Sequence, residues 1–353
     1  MHIPDGYLSP STCAAAYAAA LPFWYVATRR LGKGLNTRLV PLLSVVSAFC
    51  FVIMMFNLPL PGGTTGHATG MAIAAILLGP WGAVVAISMA LFIQALFFGD
   101  GGLTAFGANS LNMAILGSFV AYGVYSLLAG TSAVTSPRRL VAAAMAGYVA
   151  INVSALAAAV EFGVQPMLFH DAAGAPLYAP YQLSIAVPAM MIGHLTIAGL
   201  AEMLLTAGII AFLQRSNPQL LERQALAARG HSTSARGLAL ILGVLMVASP
   251  LGLLAAGTAW GEWSADAFAD PAARAVMAGA SLDAAPSKAV PQGLARLSSI
   301  WTAPIPDYAP SFLKSAALGY MLSAFTGVGL IIIAYLALTS VLGLARQRGN
   351  QHA

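Results

Sequence analysis

Long apolar runs separated by short polar breaks make up most of the chain. Eight of these runs are long enough, or nearly so, to cross a bilayer as a helix, which takes about 20 apolar residues. They cover residues 11–28, 39–58, 81–98, 108–129, 140–160, 183–213, 237–256 and 313–345. The pattern predicts an all-α integral membrane protein.

The composition agrees with this prediction. Hydrophobic residues make up 59% of the 353-residue chain and charged residues only 8%, whereas a soluble domain carries about 25% charged residues. The net charge of +5 does not indicate a nucleic-acid partner, because the basic residues lie mostly at the ends of the apolar runs. Cys13 and Cys50 lie inside apolar runs and are predicted to be buried thiols without a disulfide.

Basic residues predict which ends of the runs face the cytoplasm. They cluster at residues 29–38, 138–139, 215–236 and 346–348, and the positive-inside rule places all four clusters in the cytoplasm. The eight runs alone would put Arg138 and Arg139 outside, so the sequence requires one more crossing.

The stretch GMAIAAILLG, residues 70–79, followed by Pro80, supplies that crossing. As a helix it is only about 15 Å long, so the non-helical PGGTTGHATG before it has to dip into the bundle from outside. The prediction is nine crossings, with Met1 and His67 on the outer side. Twelve of the sixteen Lys and Arg then lie inside.

The polar stretch 215–236 predicts a boundary between two parts of the chain. Residues 1–214 form a bundle of seven crossings, and 215–236 form a cytoplasmic linker. Residues 237–353 form a module of two crossings with a long outer loop at 257–312, rich in Ala, Pro and Ser.

The chain opens MHIPDG, which lacks the features of a signal peptide. Met1 is expected to remain, because its removal generally needs a small second residue, and so to carry a free amine beside His2. The amine, the His2 amide nitrogen and the near imidazole nitrogen close a five-membered and a six-membered chelate ring. With His67 as a fourth donor the set becomes a square of nitrogens, which is diagnostic of Ni(II) or Cu(II).

The other histidines carry weaker signals. His231 and His352 lie in the linker and the tail and are predicted to be solvated. His170 is predicted to be on a surface loop, with a transient metal contact as the alternative. His194 and Glu202 roughly share one helix face. Intramembrane ionisable groups are functional candidates, and interhelical hydrogen bonding is an equal alternative.

Several stretches resemble a known family. MHIPDGYLSP, GGTTGHATG, FGDGGLTAFGANSLNMAILG (98–117) and HLTIAGLAEMLLTAGIIAFL (194–213) are similar to the nickel/cobalt substrate-binding M subunit of energy-coupling-factor (ECF) transporters. SPLGLLAAGTAWGEW (249–263) and PDYAP (306–310) resemble the small N subunit of the same transporters, fused here to the first part.

The resemblance implies a function and a ligand set. It implies an S-component that captures Ni(II) or Co(II) outside a bacterial inner membrane, for import driven by partner ATPases and a coupling T subunit. It implies metal ligands from Met1, His2 and His67, with no cofactor. Pro4 and Asp5 after the opening residues resemble the nickel branch, and cobalt is the alternative.

Four polar residues near the predicted outer mouth are candidates for holding the ligands in place: Asp5, Gln94, Asp100 and Asn109. Asp5 and Asp100 each precede glycine, so turn formation is an alternative interpretation of both. The face of the first run with Ala15 and Ala19 permits close helix approach by a partner, or packing inside the chain's own bundle.

Other functions are disfavoured by missing motifs. The sequence has no Gly-x-x-x-x-Gly-Lys-Ser/Thr, so the chain is not expected to hydrolyse nucleotide, and it has no His-Glu-x-x-His. Two alternatives remain open: a secondary metal/proton antiporter that uses Glu202 and His194, and an assembly module with vestigial ligands.

Overall fold

The structure is a computed structural model that describes residues 1–32, 39–222 and 236–351, and it is mostly helical. We call the residues up to 222 the first module and those from 236 onward the second module. The linker residues 223–235, which include His231, and His352 in the tail lie outside the described residues.

Among its described residues, the first module contains eight α-helices: α1 (Pro10–Gly32), α2 (Leu39–Met54), α3 (Met71–Ile93), α4 (Phe106–Asn109), α5 (Ser118–Ala129), α6 (Pro137–Leu168), α7 (Leu183–Gly193) and α8 (Gly199–Ser216). Wider π-helical turns extend α3 and join α4 to α5 and α7 to α8, at Gln94–Phe98, Ser110–Gly117 and His194–Ala198. A short 3-10 helix, Pro218–Leu221, follows α8.

The second module has a long helix at each end and short helices between them: α9 (Arg236–Ala248), α10 (Pro271–Gly279), α11 (Gln292–Leu297) and α12 (Ala316–Gln351). Three 3-10 helices, Ser249–Leu254, Ala265–Phe268 and Pro306–Tyr308, complete it. The predicted outer loop is therefore a folded segment that contains short helices.

Six helical segments of the described chain are long and apolar enough to cross a membrane: Met71–Phe98, Phe106–Ala129, Pro137–Leu168, Leu183–Ser216, Arg236–Leu254 and Ala316–Leu338. Helix α2 is a shorter apolar helix, described as Val40–Met54 by the same criterion. The prediction of a mostly helical protein with several membrane-spanning helices is confirmed.

The segment Met71–Phe98 is a helical hairpin. Gly79 has φ 72° and ψ 170°, far from helical values, and Pro80 follows it. Its 28 residues would span about 42 Å as one straight helix. Yet His67 before it and Asp100 after it both contact His2. The chain therefore reverses at Gly79–Pro80.

The turn of this hairpin lies at the end of the bundle away from Met1. The Arg30 guanidinium, in the last turn of α1, is 4.6 Å from the centre of the Trp81 ring, and Trp81 is 5.0 Å from Phe119. Helix α5 continues past Phe119 to Ala129, and Arg139 then donates 2.8 Å to the Ser132 carbonyl. Arg30 and Arg139 therefore lie at the same end of the molecule.

Two short strands that the sequence did not predict precede the hairpin in this mostly helical chain. Leu58–Leu60 pairs antiparallel with Thr64–Gly66, with Leu58 opposite Gly66. The turn between them is Pro61-Gly62-Gly63, and both glycines have positive φ, which a residue with a side chain rarely adopts. Three-residue strands carry too short an alternation to be recognised in the sequence.

The second module packs on the end of the first module that holds Met1 and the His67 loop. The Thr65 amide donates 3.1 Å to the Thr258 carbonyl, which joins the His67 loop to the second module. A Cβ on Gly252 would lie 2.1 Å from the Met55 carbonyl oxygen, so only glycine permits this approach.

Cys13 and Cys50 are both buried and free.

Candidate metal centre

The first three residues of the chain are inserted into the bundle. Met1, His2 and Ile3 are 3%, 1% and 0% exposed. The Ile3 amide donates 2.8 Å to Asn109 Oδ1, and Asn109 Nδ2 donates 3.0 Å back to the Ile3 carbonyl. The Gly102 amide also donates to that carbonyl, at 2.9 Å. Asn109 therefore pairs with the terminus as a neighbouring strand would.

Asp5 fixes the next part of the terminus. Its carboxylate accepts from the Leu103 amide at 3.1 Å, from the Thr104 amide at 2.7 Å and from the Thr104 hydroxyl. A Cβ on Gly102 would lie 2.3 Å from the Asp5 amide nitrogen. Asp5 thus lies in a turn, as one interpretation predicts, and also ties the terminus to the loop after α3.

Helix α1 starts immediately behind this terminus. Pro10 occupies the first helical position, where its missing N–H costs nothing. Ser9 Oγ accepts from the Thr12 amide at 3.1 Å, and the Ser9 amide donates 2.9 Å to Gln165 Oε1 on α6. The first nine residues are therefore held at both ends.

The His2 and His67 rings stack, with centroids 4.9 Å apart and an interplanar angle of 27°. His67 Nδ1 lies 3.0 Å from the Ala68 carbonyl. Because a carbonyl only accepts, Nδ1 carries the ring proton and Nε2 keeps its lone pair. Burial lowers the pKa of His67 to about 3, and electrostatic repulsion from the neighbouring His2 and chain terminus adds to this effect. The His67 ring is neutral, which is the form that binds metals.

Asp100 lies against the other histidine. His2 Nδ1 is 2.6 Å from Asp100 Oδ1. Asp100 Oδ2 accepts from the Tyr308 hydroxyl at 2.6 Å and from Gln94 Nε2 at 3.2 Å. Burial opposes ionisation of Asp100, but His2, with smaller effects from His67 and the Tyr308 hydroxyl, holds the pKa of Asp100 well below its usual range.

The position of the His2 ring differs from the one that the predicted chelate needs. The six-membered chelate ring uses Nδ1, but Nδ1 contacts Asp100. His2 Nε2 is buried and has no hydrogen-bond partner. The structure brings the three predicted ligand residues together, with the His2 ring facing Asp100.

A cavity of about 450 Å³ opens over these groups and is shared by the two modules. His2, His67 and Asp100 line one side, and Glu262, Asp307 and Tyr308 line the other. Glu262 Oε1 lies 3.5 Å from the Met1 amine. Burial raises the pKa of Glu262, and the Met1 ammonium partly offsets this. The cavity therefore has carboxylates on both sides.

Glu202 accepts hydrogen bonds from the residues that follow His67. Its Oε2 accepts from the Thr69 amide at 2.6 Å, the Gly70 amide at 3.1 Å and the Thr69 hydroxyl at 3.3 Å. His194 is also buried, with Nδ1 2.9 Å from the Met190 carbonyl of its own helix. Of this predicted pair, only Glu202 contacts the His67 loop.

His170 lies apart from the cavity. It is exposed, and its Nδ1 is 3.2 Å from the Asp171 carbonyl. In the described part of the chain no three His, Cys, Asp or Glu side chains form a group that could hold a metal ion.

Sequence reasoning missed the contribution of Glu262 and Tyr308 to this cavity. Both belong to stretches, TAWGEW and PDYAP, that were noted only for their resemblance to a family. The detectable signal was polar and charged residues beside aromatic ones in an outer loop that is otherwise rich in Ala, Pro and Ser. Their contacts with Met1 and Asp100 span more than half of the chain, so no local pattern reports them.

Comparisons with known families divide the chain in two. Residues 2–220 match the family described as cobalt uptake substrate-specific transmembrane region. Residues 235–344 match the PDGLE domain.

Relatives and solved structures agree with these matches. The chain is 58% identical over 99% of its length to the whole of the fused nickel transport protein NikMN of Rhodobacter capsulatus. It is 41% identical over 94% of its length, and 96% of the relative, to the probable fused nickel transport protein LarMN of Lactiplantibacillus plantarum.

A crystal structure of a truncated transition metal transporter superposes on 60% of this chain and 98% of its own, with a TM-score of 0.57 and 51% identity. These matches make the protein a multi-pass membrane transporter. The chain therefore belongs to the family of the cobalt uptake substrate-specific transmembrane region, fused in this case to a PDGLE domain.

Proposed function

We propose that the chain captures Ni(II) from outside the cell as the substrate-specific component of an ECF importer in the bacterial inner membrane. The observation that carries the proposal is the buried chain terminus: His2 and His67 line one cavity flanked by carboxylates, and the Met1 amine lies 3.5 Å from Glu262, one of those carboxylates. The Met1 amine, the His2 amide and imidazole and His67 Nε2 are the proposed donors. Four nitrogens in a square suit Ni(II).

The relatives' names support nickel over cobalt. Those that span nearly the whole chain are named as nickel transport proteins. A relative named as a cobalt transport protein, from Sorangium cellulosum, matches only 63% of the chain, at 32% identity. Co(II) is the alternative substrate of the same site.

The proposed chelate requires one local change. The His2 ring has to rotate about its Cβ–Cγ bond so that Nδ1 leaves Asp100 and faces the metal. Histidines that bind metals commonly donate their other ring N–H to a carboxylate. Asp100, held by Gln94 and Tyr308, is the proposed acceptor from His2 after this rotation.

We propose nine crossings with the terminus outside. The hairpin at Gly79–Pro80 supports counting residues 70–79 and 81–98 as separate crossings, and the basic clusters at the opposite end support the orientation. The proposed units are the metal-binding domain 1–214, the linker 215–236 and the two-span module 237–353, whose outer segment 257–312 covers the cavity.

The energy for import is proposed to come from partner ATPases through a T subunit, because the sequence has no nucleotide-binding motif of its own. Ala15 and Ala19 are exposed on α1 in this structure, which favours a partner contact over packing within the chain's own bundle. Nickel accumulation is expected only when the partner subunits are co-expressed. Concentrative uptake by the chain alone would favour a secondary transporter instead.

The direct test compares nickel binding by the purified native protein, a form with Gly-Ser-Gly ahead of Met1, and His67→Ala. The extension moves the free amine away from Met1, adds bulk at a residue that is only 3% exposed, and places His2 too far from the new terminus to chelate together with its amine. Both variants are expected to lose at least about 100-fold in affinity, since each 1.4 kcal/mol is tenfold.

His170→Ala is the matched control, because His170 is an exposed histidine away from the cavity. It is expected to bind nickel as the native protein does. Native affinity in the extended form would exclude the amine as a ligand, and the site would then have to rest on His2 and His67 side chains.

A further inference from the structure

The peptide bond between Ala68 and Thr69 joins His67 to a carboxyl group on another helix. Its carbonyl oxygen lies 3.0 Å from His67 Nδ1, and its N–H donates 2.6 Å to Glu202 Oε2. A trans peptide is planar, with its N–H and C=O pointing in opposite directions. The group that fixes the N–H therefore also fixes the direction of the carbonyl.

The same carboxyl caps the start of helix α3, together with the Thr69 hydroxyl, which accepts 3.3 Å from the Met71 amide. Helix α3 begins at Met71, and Gly70 before it offers no side chain. The first N–H groups of a helix need acceptors, and inside a membrane bundle water does not supply them. Glu202 Oε2 accepts from the Gly70 amide at 3.1 Å and from the Thr69 hydroxyl at 3.3 Å. The helix N-terminus also favours a carboxyl at this position.

The chain around His67 needs such an external constraint. Gly66 precedes it and Gly70 follows it, and Gly70 has φ +71°. On the upstream side Gly66 pairs with Leu58 in the short strands. On the downstream side Glu202, which is fully buried, accepts from two successive amides.

We propose that Glu202 is the positioning residue of the metal site: through the Ala68–Thr69 peptide it fixes the tautomer and direction of the His67 ring. This inference rests on the proposed function, in which His67 Nε2 binds the metal. Residues that orient a metal-binding histidine typically contribute a factor of about 10 to 100 to metal affinity. Because Glu202 lies on α8, these hydrogen bonds also link α8 to the loop that carries His67.

The test varies the length and the charge of the side chain at position 202 separately, because the proposal depends on its length. Glu202→Gln keeps the length of the side chain and an acceptor oxygen, so nickel affinity is expected to stay within about threefold of native. Glu202→Asp keeps a carboxyl group but shortens the side chain by one methylene. Its affinity is expected to fall about 10- to 100-fold, and the visible absorption of bound Ni(II) is expected to move toward that of His67→Ala.

Glu161→Asp is the matched control. Glu161 is another glutamate of the bundle, and its carboxyl accepts 2.6 Å from Asn112 instead of from the His67 loop. The same shortening at Glu161 is expected to leave nickel affinity and the absorption spectrum unchanged. An equal loss in both Asp variants would indicate general destabilisation and overturn the proposal.

A double-mutant cycle separates positioning from folding. If Glu202 acts through His67, Glu202→Asp has no further effect on nickel affinity once His67 is Ala. An equal loss in both backgrounds, or a Gln variant as weak as the Asp variant, overturns the inference. If His67→Ala itself binds nickel normally, the proposed ligand set fails, which is a separate result.

Discussion

The two modules face the same cavity but contribute different groups to it. The first module provides Met1, His2 and His67, whose positions are fixed by backbone hydrogen bonds and by buried side chains. The second module provides Glu262 and Tyr308, which contact the ligands or their partners. The His2 side chain is 1% exposed, whereas that of Glu262 is 23% exposed.

Under the proposed function, this difference separates groups that hold the metal from groups that cover it. Loss of a deeply buried donor removes binding free energy that water cannot replace. Loss of a partly exposed charge is screened by solvent and salt and mainly affects how fast a cation arrives. Variants of the first module are therefore expected to raise the dissociation rate, and variants of the second module to have smaller effects.

The largest expected effect is in the first module, at His2. His2→Ala removes one donor and one chelate ring, so nickel affinity is expected to fall by at least about 100-fold, equivalent to about 2.8 kcal/mol. Isothermal titration on detergent-purified protein measures it. A C-terminal tag, placed on the second module, is the control and is expected to have no effect. Unchanged affinity in His2→Ala would remove the reason for treating the first module as the one that holds the metal.

The next effect is at Asp100. Asp100→Asn removes the charge that lies 2.6 Å from His2 Nδ1 and is expected to lower nickel affinity about 10- to 100-fold, as for other residues that orient a metal-binding histidine. The loss is expected in the dissociation rate, which metal exchange into a chelator measures. A loss confined to the association rate would instead place Asp100 with the covering groups.

Tyr308 tests the second module's hold on Asp100. Tyr308→Phe removes the hydroxyl that donates 2.6 Å to Asp100 and accepts 3.0 Å from Gln94. A net hydrogen bond is worth about 1 kcal/mol, so an affinity loss of about fivefold is expected by titration. Tyr178→Phe is a suitable control, because Tyr178 packs against Phe169 away from the cavity. A loss as large as that of Asp100→Asn would mean that the second module holds the metal as strongly as the first.

Glu262 gives the smallest expected effect on equilibrium binding. Glu262→Gln removes a carboxylate 3.5 Å from the Met1 amine. The association rate of Ni(II) is expected to fall about two- to fivefold, and the difference to shrink as salt is added. Stopped-flow binding at two ionic strengths measures both. A raised dissociation rate with an unchanged association rate would contradict the covering role.

Much of the fold was predictable because the bilayer imposes a simple length and polarity rule. The parity of the basic clusters required a break near residue 80, and the structure has a reversal at Gly79–Pro80. The short strands at 58–66 were missed because three residues show no clear alternation. At the site, the meeting of Met1, His2 and His67 followed from local chemistry and family resemblance, while the contacts of Glu262 and Tyr308 depend on distant parts of the chain.

The sequence by itself determined the helical membrane class, the family and the candidate residues His2 and His67, because these depend on local composition and short motifs. Tertiary structure alone decided that Asp100 contacts His2 Nδ1, that Glu202 orients the peptide behind His67, and that the second module lies over Met1. Each of these contacts joins residues whose separation along the chain, 98 to 261 positions for the first and last, carries no periodic signal. Only the packing of the bundle brings them within hydrogen-bonding distance.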